Sequence, residues 1–144
     1  MVCRCTTMAV FRRRFTIATH EHNEVVDITR EVERVLGESR VRDGVCTVFA
    51  AHATAAITIN ENADPNIGVD FLSALRKVVI EHDGWLHDRV DDNAAAHIKS
   101  ALVGPSVSIP VEDGKLALGT WQDVFFCEFD GPRSSRNVVV TILS

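Results

Sequence analysis

Apolar and polar residues alternate from Phe11 to Thr19, with Phe11, Arg13, Phe15 and Ile17 set against Arg12, Arg14 and Thr16. A period of two predicts a strand with one wet face. The period then lengthens. Ile28, Val32, Val35 and Leu36 recur at helical spacing behind Asp27. A helix is expected from an Asp27 cap through about Leu36, with Gly37 as its stop. Residues 45–51 are apolar on both faces, as in a central strand. Residues 54–60 form a further strand after His52. On that strand His52, Thr54, Ala56, Thr58 and Asn60 would share one face, with Ile57 and Ile59 packing behind it.

Asp64-Pro65 reads as a helix cap followed by proline in the first turn. Val69, Leu72, Leu75 and Val79 follow at helical spacing, and Gly84 is the expected end. Asp92 or Asn93 opens a third helix, which carries His97, Lys99 and Ala101 and stops at Gly104-Pro105. Val107, Ile109 and Val111 then alternate with Ser106, Ser108 and Pro110. Asp113-Gly114 marks a tight hairpin, with Leu116, Leu118 and Thr120 in the return strand. Residues 124–129 and 138–143 complete the strands. Helices and strands are largely segregated, so the fold class is α+β with a mostly antiparallel sheet.

Composition narrows the function. A chain of 144 residues fits one domain, 1–144, with residues 1–9 expected to fray. Its formal charge of −5 argues against a general nucleic-acid binder. The one basic cluster, Arg12 to Arg14, reads as an exposed strand face. No apolar run reaches the roughly 18 residues of a membrane span. Cys3 and Cys5 form a pair at the start, while Cys46 and Cys127 lie in apolar runs where a free thiol is ordinary packing. With no secreted disulfide framework, a cytoplasmic location is expected.

Candidate chemistry gathers around three histidines. His52, His87 and His97 stand in segments dense in Asn, Asp, Glu and Thr, whereas His20, His22 and His82 read as surface residues. Buried polar groups cost free energy unless paired, so such density argues for a site. Three imidazoles with an open fourth position suit zinc, with magnesium or manganese as alternatives. Glu61, Glu128 and Asn60 are the candidate catalytic groups. Thr54, Asn93, Lys99, Gln122 and Arg133 are the candidate substrate contacts. Arg133 suits phosphate oxygens, or else an ion pair with a carboxylate such as Glu128. Trp121 reads as packing.

The segments HATAAITINENADP, DDNAAAHIKSALVGPS, PVEDGKLALGTWQ and CEFDGPR together resemble the YjbQ-like family, over about residues 10–143. The resemblance places family histidines on His52, His87 and His97. It implies an antiparallel sheet curved into a half-barrel with helices packed on it. It also implies a homotrimer with sites near subunit boundaries, and a secondary thiamine-phosphate synthase activity. That reaction joins a pyrimidine diphosphate to a thiazole phosphate and releases pyrophosphate. A metal-dependent hydrolase of a small phosphorylated or amide substrate, and a non-catalytic trimeric metabolite-binding module, are the alternatives.

Overall fold

A computed structural model describes residues 8–144. Cys3 and Cys5 lie outside the described residues. The chain runs β1 (Val10–Thr19), β2 (Glu24–Asp27), α1 (Thr29–Ser39), β3 (Gly44–Ala50), β4 (Ala55–Glu61) and α2 (Asn66–Val78). A 3-10 turn (Leu86–Arg89) leads to α3 (Ala94–Val103). Then come β5 (Ser106–Glu112), β6 (Lys115–Leu116), β7 (Gln122–Glu128) and β8 (Arg133–Leu143). A five-stranded sheet in the order β1-β8-β3-β5-β6 curls into a half-barrel, and a three-stranded sheet has the order β2-β7-β4. Every strand pair is antiparallel.

The main core lies between the two sheets and α1. Val32, Val35 and Leu36 of α1 meet Val48, Ile57, Val124, Phe126, Val138 and Val140 there. The far face of the three-stranded sheet is covered too. Ala56, Cys127 and Phe129 pack with Ala96 of α3 and with Phe71, Leu72 and Leu75 of α2. Burial on both faces explains the unbroken apolar run from Val124 to Cys127 in β7. Among the described residues no helix is long and apolar enough to cross a membrane.

Local chemistry sets several boundaries. Asp27 Oδ1 accepts from the Thr29 backbone N–H (2.9 Å) and hydroxyl (2.6 Å) just ahead of α1, whereas the cap position falls on Ile28, which makes no side-chain cap bond. α1 nevertheless runs past Gly37 to Ser39, where Arg40 takes the left-handed turn (φ 58°). Asp64 Oδ1 accepts from Asn66 N–H at 2.9 Å, as expected. α2 ends well before Gly84, because the run Val78-Val79-Ile80 is β-branched and Val79 turns extended. Asp113 and Gly114 both have positive φ (51° and 77°), as a type I′ hairpin demands. The return strand then stops at Leu116. Ala117 N–H donates to Pro110 O (2.9 Å), but Pro110 has no N–H to return, so the ladder ends.

Other differences have equally local causes. β2 has four residues, too few to show a period. β8 begins at Arg133, five residues before its apolar run, because β1 pairs with its polar start. Ala9 is not frayed, since it exchanges backbone hydrogen bonds with Ser144 (3.1 and 3.2 Å). Arg12, Arg13 and Arg14 are exposed on the edge strand, and Arg13 lies over the Phe11 ring at 4.4 Å.

Candidate functional site

His97 sits one turn into α3, and His87 sits in the 3-10 turn before it. Their ring centroids are 4.8 Å apart and their planes 87° to each other, an edge-on pair. Trp85, Leu86, Ala94 and Ile98 join them around an open, mostly apolar cavity of about 400 Å³. Two bonds fix α3 beneath this pair. Ser100 Oγ donates to Ala55 O (2.6 Å), and Ala94 N–H donates to Asp88 Oδ1 (2.9 Å). Asp88 is therefore the residue that caps α3. Asn93 makes no side-chain cap bond and Asp92 lies outside the helix.

Glu128 is fully buried at the end of β7 and saturated with donors. Arg136 grips both of its oxygens, with Nε to Oε2 at 2.6 Å. Thr19 Oγ1 and the N–H groups of Phe129 and Asp130 donate at 2.9–3.0 Å. Burial pushes the Glu128 carboxyl up. The Arg136 bond, the Asp130 N–H, the Arg136 charge and the Thr19 hydroxyl outweigh burial and hold it below the usual range. Arg136 also donates to Thr54 Oγ1 (3.0 Å), which fixes Thr54 in the turn ahead of β4.

His52 lies beside this network. It precedes β4 rather than belonging to it, so the expected shared strand face with Thr58 and Asn60 does not form. Ala56, on that face, is sealed under the helices. Asn137 N–H donates to His52 Nε2 at 2.7 Å, so Nε2 bears the lone pair and Nδ1 the hydrogen. Burial lowers its pKa, and the Arg136 charge adds to that against the opposing pull of Glu128. His52 is thus held neutral with its Nε2 engaged.

The remaining candidates fall in two places. Asp130 Oδ2 accepts from Arg133 Nη2 (2.6 Å) and Asn93 Nδ2 (3.2 Å), which ties Arg133 to the start of α3. The partner of Arg133 is therefore Asp130, and that of Glu128 is Arg136. Asn60, Glu61 and Gln122 lie at the other end of the three-stranded sheet, where Glu61 pairs with Gln122. Glu128 pairs with Ala55, six residues back along β4, and six steps of about 3.3 Å separate the two ends by roughly 20 Å. Within one chain, Glu61 and Glu128 do not share a site. Gln122 Oε1 is occupied by Gly119 N–H (2.8 Å). Trp121 is 64% exposed rather than packed.

Lys99 is fully buried, and its ammonium is held by Asn23 Oδ1 (3.1 Å) and Glu81 Oε1 (3.0 Å). Burial would raise the Glu81 carboxyl, but the bond and charge of Lys99, with His22 and Asn23, keep it low. This arrangement faces inward and presents no ammonium to solvent. Sequence reasoning did not single out Arg136, Asp130 or Asp88 for these tasks. Arg136 hides in a polar stretch, and only its register opposite Ile17 reveals that it turns inward.

Among the described residues, the group of metal-capable side chains with mutually close donor atoms is His82, Asp88 and Asp92, all within 4.8 Å of one another. His87 and His97 meet each other, while His52 is committed to Asn137.

Half-barrel, helical cover and buried Arg–Glu pair define a small α+β protein with a histidine-lined mouth. The chain belongs to the YjbQ-like UPF0047 family, whose model matches residues 13–144. It is 48% identical to the UPF0047 protein YugU of Bacillus subtilis over 121 residues, covering 82% of this chain and 89% of that one. It resembles the crystal structure of a YbjQ-like protein from Sulfolobus solfataricus with a TM-score of 0.92. The identity there is 38%, over 96% of this chain and 99% of that one. A family structure from Clostridium acetobutylicum gives a TM-score of 0.86 at 46% identity, over 90% and 98% of the two chains.

Proposed function

We propose that the protein is a metal-assisted enzyme acting on small phosphorylated heteroaromatic molecules, with the His87–His97 mouth as its site. The observation that carries this reading is the edge-on imidazole pair set in an apolar-walled cavity. Apolar walls with a few polar groups are what a flat ring needs for binding and orientation. The reaction follows from resemblance to secondary thiamine-phosphate synthases, joining a pyrimidine diphosphate to a thiazole phosphate with release of pyrophosphate.

The residues fit a zinc, magnesium or manganese ion in part. His87 and His97 supply two nitrogens from one chain. His52 Nε2 is already taken by Asn137. The remaining positions fall to substrate oxygens or to a second copy of the chain, in keeping with a homotrimer whose sites lie near subunit boundaries. An ion held there by His87 and His97 would supply positive charge for a departing diphosphate. Arg133, half exposed and tethered to Asp130, offers a fixed guanidinium near the start of α3. His52 and the Arg136–Glu128 pair hold the strand ends in position. Glu128 is locked as an ionised anchor, so it contributes through positioning Arg136 and Thr54.

The test combines elemental mass spectrometry of tag-free protein, light scattering for the trimer, and pyrophosphate release from the two phosphorylated rings. Loss of one ion per chain relative to the parent in His87→Ala and in His97→Ala, together with loss of turnover, is the expected result. A parent that retains no zinc, magnesium or manganese after refilling overturns the metal. Full pyrophosphate release by His97→Ala overturns the site. Ligand binding without turnover in the metal-loaded parent would favour the trimeric metabolite-binding module.

A further inference from the structure

We propose that His82, Asp88, Asp92 and Asn93 form a divalent-cation site, separate from the His87–His97 mouth. Three observations converge on it. The first is the donor set. His82 Nδ1 lies 3.1 Å from Asp92 Oδ1 and 3.9 Å from Asp88 Oδ2. Donors about 2.1 Å from one ion stand about 3.0–3.4 Å apart in octahedral or tetrahedral geometry, so side-chain rotation at the exposed rim has to draw in a set whose donors all lie within 4.8 Å of one another. One neutral imidazole and two carboxylates carry a charge of −2, which matches a divalent cation.

The second observation is two orphaned oxygens. Asp88 Oδ2 and Asn93 Oδ1 are shielded from solvent, and neither meets a hydrogen-bond donor among the described residues. Both residues line the same cavity of about 140 Å³ as His82 and Asp92. A simple His82–Asp92 ion pair leaves both oxygens unsatisfied, at a cost of about 1–3 kcal/mol each. A cation held by His82, Asp88 and Asp92 satisfies Asp88 Oδ2 and removes the repulsion between Asp88 and Asp92, and Asn93 lines the same cavity.

The third is the division of labour at Asp88. Its Oδ1 caps α3 through Ala94 N–H, which turns Oδ2 toward His82. The Asp88 side chain is only 15% exposed, while those of His82 and Asp92 are 61% and 73% exposed. The site thus has a buried floor and an open rim through which an ion enters. Mixed nitrogen and oxygen donors suit manganese or zinc.

The site's place in the chain gives it a consequence. Its ligands bracket residues 83–87, the segment that carries Trp85, Leu86 and His87. A cation there closes that loop onto the start of α3 and fixes one wall of the His87–His97 mouth. This task does not depend on which reaction, if any, the mouth performs.

Manganese is the probe, counted by the electron paramagnetic resonance of free Mn²⁺ in metal-stripped protein, with melting followed in parallel. The variants are His82→Gln and Asp92→Asn, both at the exposed rim, because Asp88 also caps α3. Parent protein is expected to bind Mn²⁺ and to melt at higher temperature with it. Each rim variant should bind at least tenfold more weakly and lose the thermal shift, while His97→Ala keeps both. No Mn²⁺ binding by the parent, or unchanged affinity in both rim variants, overturns the proposal. So does loss of the bound Mn²⁺ in His97→Ala with retention in the rim variants, which would assign the ion to the mouth.

Discussion

At the scale of single residues, the Arg136–Glu128 pair is the most constrained feature of the chain. Glu128 is inaccessible and Arg136 nearly so. Removing one partner leaves an uncompensated buried charge. Arg136→Ala is therefore expected to destabilise the fold by about 3–5 kcal/mol, read from urea unfolding. A change below about 1 kcal/mol would show that the pair is more hydrated than its geometry implies. Thr54 and Thr19 bond to the same pair, so their hydroxyls are spent on structure. The thiols are similarly committed. Burial pushes Cys127 up to about 12 and Cys46 up to about 11, which keeps both as inert packing.

At the scale of elements, close approach matters more than propensity. Gly44 opens β3 against the end of β8, where an added Cβ would stand 1.9 Å from Leu143 O. Neither backbone can yield without breaking the register that pairs Val45 with Leu143. Gly44→Ala should cost about 1–3 kcal/mol and lower the melting temperature by several degrees. An unchanged melting temperature would mean that the strand end moves freely. Sequence periodicity located every long element, because each has one or two apolar faces to bury. It missed β2, four residues held by Val25 and Val26 against Cys127 and Phe126. It also misjudged where α2 stops, since a β-branched run ended the helix before the glycine did.

At the scale of the molecule, stability should fall in two stages as pH drops. The pKa of His52 is depressed from its ordinary 6.5, so the unfolded chain binds that proton first. Its contribution is complete above about pH 6.5 and is lost as pH falls toward the folded value. Glu128 is depressed below 4.5, so its contribution is complete above that and is lost further down. Unfolding free energy measured from pH 8 to 3 should therefore decline in both windows, and His52→Gln should flatten the upper one. A parent curve that is level between pH 7 and 5 would contradict the half-buried, neutral His52. The sequence by itself determined the α+β class, the antiparallel arrangement, the Asp27 and Asp64 turns that open α1 and α2, and the Asp113-Gly114 hairpin. These rest on local periodicity and short-range hydrogen bonds, which neighbours along the chain fully specify. Tertiary structure alone decided that Glu128 pairs with Arg136, that Lys99 faces inward, that Glu61 lies far from Glu128, and that His82 meets Asp88 and Asp92. Those outcomes depend on strand register and on which loops converge, and such long-range geometry leaves no periodic trace in the chain.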